Sequence, residues 1–422
     1  MSALSTVETF PATVFTLDNG LTVIHQEMPA TPVAVVDVWV KAGATREPEP
    51  WSGMAHFLEH MIFKGTDRIA PGLFDWAIES RGGVANAATS HDYAHFFITS
   101  AAQYLEDTLH PLADLLLHAA IPEDEFARER AVVLEELHQS QDSPDWVEFQ
   151  AMMETLYPNH PYGRSVLGTE ETLMARSPEE MRRFHRCHYQ PENMAVAIVG
   201  GVDQGRAREL VSRAFGCFSK PEDCPSTNGN GAPQLTGIRH EELLLPNVEQ
   251  ARMTMAWSGP GVENLRHGYG LDLLSVLLAE GRTSRLVQLL REDRQLVHGL
   301  SSGFSLQQES SLFTINATLE WENVEEVEYL ICECLAEIGD RPLAPAELDR
   351  GKRLLCNDYA FSTETPGQLA GLYGYYFTVA QPELSVTYPR QIQSLNAAEL
   401  QQIAKTHISP ERYVMTVVKP LL

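Results

Sequence analysis

The chain has 422 residues, 44% hydrophobic and 21% charged, the composition of a globular protein long enough for two or more cores. Its formal charge of −26 disfavours nucleic acid and anionic membrane surfaces as partners, and no run of about 18 apolar residues occurs that would span a bilayer. Met1 to Thr16 has no basic stretch followed by an apolar core, so no secretory signal is visible and a cytoplasmic location is expected. Cys187, Cys217, Cys224, Cys332, Cys334 and Cys356 form no C-x-x-C pair, which predicts a reducing compartment and no cysteine metal ligands.

In chain order, Val14 to Leu17 and Leu21 to His25 read as a hairpin across Asp18-Asn19-Gly20, where Asn-Gly supplies the positive φ angles of a tight turn. Val33 to Val40 is a further apolar strand. Next comes His56-Phe57-Leu58-Glu59-His60 on a predicted helix. Imidazoles four residues apart share one helix face and can both reach a single cation at about 2 Å. Glu59 lies about 100° around the helix from His60 and can face the same pocket without binding the ion, the position of a general base. H-x-x-E-H is a metallopeptidase signature, the reverse of the commoner H-E-x-x-H.

Phe74 to Ser80 reads as helix, broken at Gly82-Gly83. Val84 to Ile98 reads as a turn and then a strand, on which His91 and His95 would share a face but lie about 13 Å apart, too far for one metal. Helical periodicity runs through Leu105 to Ala119, Glu123 to Gln139 and Trp146 to Leu156. A catalytic zinc needs a third ligand, and the segment Phe126 to Leu137 offers three carboxylates. Glu129 and Glu136 are two turns apart on one face while Glu135 points about 100° away; spacing alone does not choose between Glu135 and Glu136. Ser177-Pro178 opens a capped helix, and Met194 to Val199 is an apolar strand.

Lys220 to Gly237 is rich in Pro, Ser, Asn and Gly and reads as a linker. Beyond it the pattern repeats. Ser177 to Met194 aligns with Asn396 to Tyr413 in caps, apolar positions and Pro-Glu, and His188/His407 and Pro191/Pro410 share a separation of 219 residues. The expected organisation is an N-terminal domain at 1–219, a linker at 220–240 and a homologous domain at 241–422. At the same separation the histidine motif falls near Ser275 to Ala279, which offers no ligands, so one metal ion per chain is expected.

H-x-x-E-H, with Glu136 placed 76 residues after His60 and Glu129 seven before it, resembles the pitrilysin-type zinc peptidases, in particular the short-chain branch of the mitochondrial processing peptidase and its bacterial relatives. The resemblance runs along nearly the whole chain. It implies an α+β fold of two homologous repeats, each a mixed sheet flanked by helices, forming half of a clamshell. It also implies one Zn2+ held by His56, His60 and Glu136, with Glu59 as base and Glu129 as a supporting carboxylate. Asn86-Ala87 is similar to the edge strand that the family uses to bind peptide backbone, and Tyr157 to Gly163 to a loop placed near its cleft. Gly281 to Leu296 is similar to the C-terminal signature, whose Arg and Tyr seven residues apart help to hold substrate; Arg291 matches the first, and His298 stands where Tyr is expected. The implied function is endopeptidase cleavage of short, unstructured peptides, by a homodimer or by a heterodimer with a homologous subunit lacking the zinc motif. The alternatives are a zinc-bearing subunit nearly inert alone, and a non-proteolytic assembly subunit.

Overall fold

The computed structural model describes residues 10–225, 227, 231, 235–246 and 248–421. The expectation for residues 1–9, and the parts of the expected linker at 226, 228–230 and 232–234, lie outside the described residues. Two compact units divide the chain. One takes Met1–Leu137, Ser165–Asn228 and Ser362–Thr387; the other takes His138–Arg164, Gly229–Phe361 and Tyr388–Leu422.

The described strands are β1 (Thr13–Thr16), β2 (Thr22–Glu27), β3 (Val33–Val40), β4 (Val84–Thr89), β5 (Ala94–Ala101), β6 (Met194–Gly200), β7 (Arg239–Leu245), β8 (Ala251–Pro260), β9 (Val297–Leu306), β10 (Ser310–Leu319) and β11 (Val414–Pro420). Six helices bear on the site and its support: α1 (Met54–Ile62), α2 (Glu123–Gln141), α3 (Pro144–Leu156), α4 (Pro178–His188), α5 (Leu265–Ala279) and α6 (Pro366–Val379).

The first unit holds a six-stranded sheet in the order β1-β2-β6-β3-β5-β4. β2 and β6 run parallel and the other pairs antiparallel. β6, Met-Ala-Val-Ala-Ile-Val-Gly, is buried at every position, as an unbroken apolar run in a sheet covered on both faces should be. Val84 to Ile98 is a hairpin of two strands rather than a turn and one strand. The small residues of Val84-Ala-Asn-Ala-Ala-Thr89 carry a weak strand signal because β4 is a half-exposed edge with little to bury. His91 falls in the bend between β4 and β5, so only His95 lies on a strand.

The second unit holds five strands in the order β7-β11-β8-β10-β9. β7 and β11 run parallel and the rest antiparallel. Without β1, the first sheet has this same order and sense of pairing, so the fold is two copies of one mixed sheet with flanking helices. Each sheet is also covered by a helix from the opposite half of the sequence. α3 packs on β11, β7 and β8 through Met152, Met153 and Leu156, and α6 packs on β3 and β6.

α6 opens on Pro366, with the Thr365 hydroxyl accepting from the Gln368 N–H at 3.3 Å. It buries Leu369, Ala370, Tyr373 and Phe377 against Trp39, Ile24 and the alanines of β6; a fully buried side chain of this size contributes about 1.5–3 kcal/mol. The contact depends on Gly374. A Cβ there would sit 2.0 Å from the Trp39 indole nitrogen, and that ring cannot retreat because it is 3% exposed and stacked on His95, with Tyr93 also against it. Gly374→Ala is therefore expected to destabilise the protein by about 1–3 kcal/mol, read as a lowered denaturation midpoint at unchanged slope. A midpoint equal to that of the unchanged chain would refute this packing.

Candidate metal centre

α1 is buried on most of its circumference: Met54, Phe57, Leu58, Met61 and Ile62 are all fully enclosed. Its remaining face carries His56, Glu59 and His60. Its start is fixed in two ways. Gly53 adopts φ 90°, and a Cβ there would lie 2.7 Å from the Leu167 carbonyl oxygen, so glycine is required by both backbone and space. Glu47, 1% exposed, accepts from the Gly53 N–H at 3.0 Å and the Ala55 N–H at 2.6 Å, placing a carboxylate on the positive end of the helix.

α2 meets α1 through Phe126, whose ring lies 4.6 Å from that of Phe57. Its buried stripe is Phe126, Glu129, Val133 and Leu137, so Glu129 occupies a position that periodicity gives to an apolar side chain. The helix crossing brings His56, His60 and Glu136 together, with one ligand atom from each within 4.8 Å of the others. Glu136 approaches His56 Nε2 at 3.6 Å and His60 Nε2 at 3.3 Å. Glu135, left open by spacing, is exposed.

Glu129 takes the other side of His60. Its Oε1 is 3.0 Å from Nδ1, which donates to the carboxylate, and Nε2 is turned toward Glu136 and the cluster. Its second oxygen is 2.6 Å from Lys64 Nζ, so a buried carboxylate is met on both oxygens. Burial, with a smaller effect from His60, pushes His56 down to about 4 and keeps it neutral, the form that ligates metal. Burial opposes protonation of His60 as well, but the hydrogen bonds of Glu136 and Glu129 carry it above the ordinary histidine value. Glu136 is held below the usual carboxylate range, chiefly by that same bond to His60. Burial raises Glu59, against the pull of the Thr89 hydroxyl, which donates to Oε2 at 2.6 Å.

Two neutral-capable imidazoles and one carboxylate are the donor set of a catalytic zinc with an open fourth position, and His60 has the carboxylate behind it that orients metal-bound histidines. The residues fit the ion. Among the described residues, buried His56 Nδ1 has no hydrogen-bond partner, so the support is one-sided.

The other expected site residues lie elsewhere. Asn86 and Ala87 are on β4 at the sheet edge, where the Ala87 N–H donates to Asn86 Oδ1 at 2.9 Å. Arg291 and His298 belong to the second unit. Arg291 lies in a π-helical turn, Val287–Asp293, and donates to Glu292 through Nε at 3.0 Å and Nη2 at 2.8 Å. His298, on β9, is 2.9 Å from Glu320 Oε1. Sequence reasoning missed Glu47, Lys64 and Thr89. None has a periodic signal, although Lys64 sits four residues after His60, at the spacing of a neighbouring helical turn.

Residues 22–170 match the insulinase family, peptidase family M16, and residues 176–355 match the peptidase M16 inactive domain. An uncharacterized zinc protease of Mycobacterium leprae is 31% identical over 79% of this chain and 74% of its own length. The chain belongs to peptidase family M16. The zinc protease PqqE of Helicobacter pylori is 29% identical over 96% of this chain and 92% of its own. The crystal structure of a protease from Helicobacter pylori, 28% identical, superposes with a TM-score of 0.90 over 98% of this chain and all of that one. The match to the M16 inactive domain starts just before α4 and takes in β6 to β10, whose sheet of the second unit carries no cluster of metal ligands among the described residues.

Glu129→Gln keeps the size of the side chain but removes the charge facing both His60 and Lys64. It is expected to weaken zinc binding by about 10–100-fold, measured by competition with a chromophoric chelator, at little cost in fold. Unchanged affinity would show that Glu129 does not orient His60.

Proposed function

We propose that this M16 protein is a zinc endopeptidase that cleaves short, unstructured peptides. The observation that carries the reading is the convergence of His56, His60 and Glu136, from two helices, with Glu59 on the same face of α1. Zinc, when bound there, supplies a Lewis acid and brings the pKa of water down to about 7. Glu59 is the base that accepts the proton of the attacking water and returns it to the leaving nitrogen. Burial raises its proton affinity, which favours its taking the proton from the water. Thr89 fixes one Glu59 oxygen, which leaves the other for the water. Glu129 and Lys64 hold the His60 ring in place.

The edge of β4 supplies the substrate contact. A peptide in extended form adds to it as a further strand through backbone bonds, which requires little of the peptide's sequence and excludes folded chains. The Asn86 amide group swings off the Ala87 N–H as the peptide's carbonyl arrives. Arg291 and His298, which pair with Glu292 and Glu320, are the further substrate-binding residues of this reading. The partner of this reading is a second copy of the chain or a homologous subunit lacking the zinc motif.

The two-component reading draws on His298. An imidazole is shorter than the phenol expected there, and this one is already engaged by a carboxylate. In that case mixing the chain with a homologous subunit raises cleavage above that of either alone.

A quenched-fluorescence peptide and the zinc-loaded chain test the function. Chelation is expected to abolish cleavage, and Glu59→Gln to lower kcat by at least about 10²-fold while the zinc content stays that of the unchanged chain. A Glu59→Gln chain with full activity would refute the assignment.

A further inference from the structure

The first unit holds a second set of metal-ligating side chains, away from α1. Cys187 ends α4 together with His188, and the chain returns after β6 to bring Cys224 against them. Cys187 and Cys224 form a disulfide with a Cα–Cα separation of 5.5 Å, which runs against the expectation of a reducing compartment. Their separation of 37 positions hides the pairing from any short motif. Cys187 and His188 are 7% and 8% exposed, while Cys224 is exposed.

His188 makes this more than a staple. Its ring lies against Cys224 Sγ, 3.7 Å from Nε2 and 4.0 Å from Nδ1, and among the described residues no closer polar partner stands beside either nitrogen. Tetrahedral zinc with Zn–S bonds of about 2.3 Å and Zn–N bonds of about 2.1 Å holds sulfur and nitrogen about 3.6 Å apart, and two sulfurs about 3.8 Å apart. Nε2 and Cys224 Sγ already stand at nearly that distance, and a rotation of the His188 ring would aim the Nε2 lone pair at the ion. The disulfide alone keeps the sulfurs closer.

The segment bearing Cys224 stays docked by other means when that bond opens. Arg183 donates to the Asp223 carbonyl at 2.9 Å, Arg186 pairs with Glu222 at 2.7 Å, and Gln190 donates to the Ser219 carbonyl at 3.3 Å.

We propose that Cys187, His188 and Cys224 form, in the dithiol state, a site for one thiophilic divalent ion of the zinc class, and that the disulfide is its oxidised, metal-free state. A dithiol reductant transfers two electrons and two protons to the disulfide, giving two thiols and the reductant's own cyclic disulfide. Binding of the divalent ion then displaces both thiol protons and takes the His188 lone pair, leaving the exposed fourth position to water. A disulfide oxidant reverses the sequence: two electrons leave the sulfurs, the bond re-forms and the ion is released.

Cobalt(II) is the probe, because thiolate ligands give it an intense near-ultraviolet charge-transfer band that the sulfur-free His56, His60 and Glu136 set cannot produce. The full chain, reduced under nitrogen with excess dithiothreitol, freed of reductant and metal, and titrated with cobalt(II) alone, is expected to develop this band and to saturate it at one ion. Cys187→Ser and Cys224→Ser are each expected to lose it, and His188→Ala to weaken cobalt binding at least about 10-fold. Excess oxidised glutathione added to the unmutated cobalt-loaded chain should erase the band, an arm that holds even where a serine variant fails to fold. A reduced chain with no thiolate band, or a band that survives in both serine variants or under oxidation, would overturn the proposal.

Discussion

The His60 ring is gripped from both sides by carboxylates of one helix, and the arrangement of the first unit serves that grip. Glu129 and Glu136 are two turns apart on α2; one meets Nδ1 and the other Nε2. An imidazole between two carboxylates has its rotation set before any ion arrives. The cost is a carboxylate inside an apolar helix stripe, and Lys64 offsets it by closing the second Glu129 oxygen. The buried face of α1, the Glu47 cap and the close approach at Gly53 keep the crossing rigid, so that three ligand atoms converge without ligand-driven folding.

The two mixed sheets share one strand order, yet only the first unit has this cluster among the described residues. α5, Leu-Arg-His-Gly-Tyr-Gly-Leu-Asp-Leu-Leu-Ser-Val-Leu-Leu-Ala, is buried along nearly its whole length, which is what a helix becomes when its polar face has nothing to bind. Among the described residues, the His56, His60 and Glu136 cluster lies in one copy and the packed sheet in both. The exchange of α3 and α6 between the halves means that each sheet is finished by residues distant in sequence. A substitution such as Gly374→Ala therefore acts on β3, some 335 residues away in the chain.

Much of this was legible in the residues. Asn19-Gly20 marked the first hairpin, Val33 to Val40 a central strand, Ser177-Pro178 a helix start, and the repeat of that helix near Asn396 the duplicated sheet. The histidine pair was legible because i, i+4 spacing is a local property. Spacing alone did not choose Glu136 over Glu135, because the rotation of α2 against α1 is a tertiary property; only the family resemblance pointed to Glu136. β4 was obscured because its small residues bury little, and Glu47, Lys64 and Thr89 because each acts across a contact rather than along an element. The Cys187–Cys224 pair was invisible for the same reason.

The central claim is that two helices aim three side chains at one ion, and a crystal of the Glu59→Gln chain soaked with zinc and measured at the zinc absorption edge tests it most directly. The expected result is an anomalous peak about 2.0–2.2 Å from His56 Nε2, His60 Nε2 and a Glu136 oxygen, with Glu129 still on His60 Nδ1. An empty site, or a peak from which Glu136 is turned away, would contradict it.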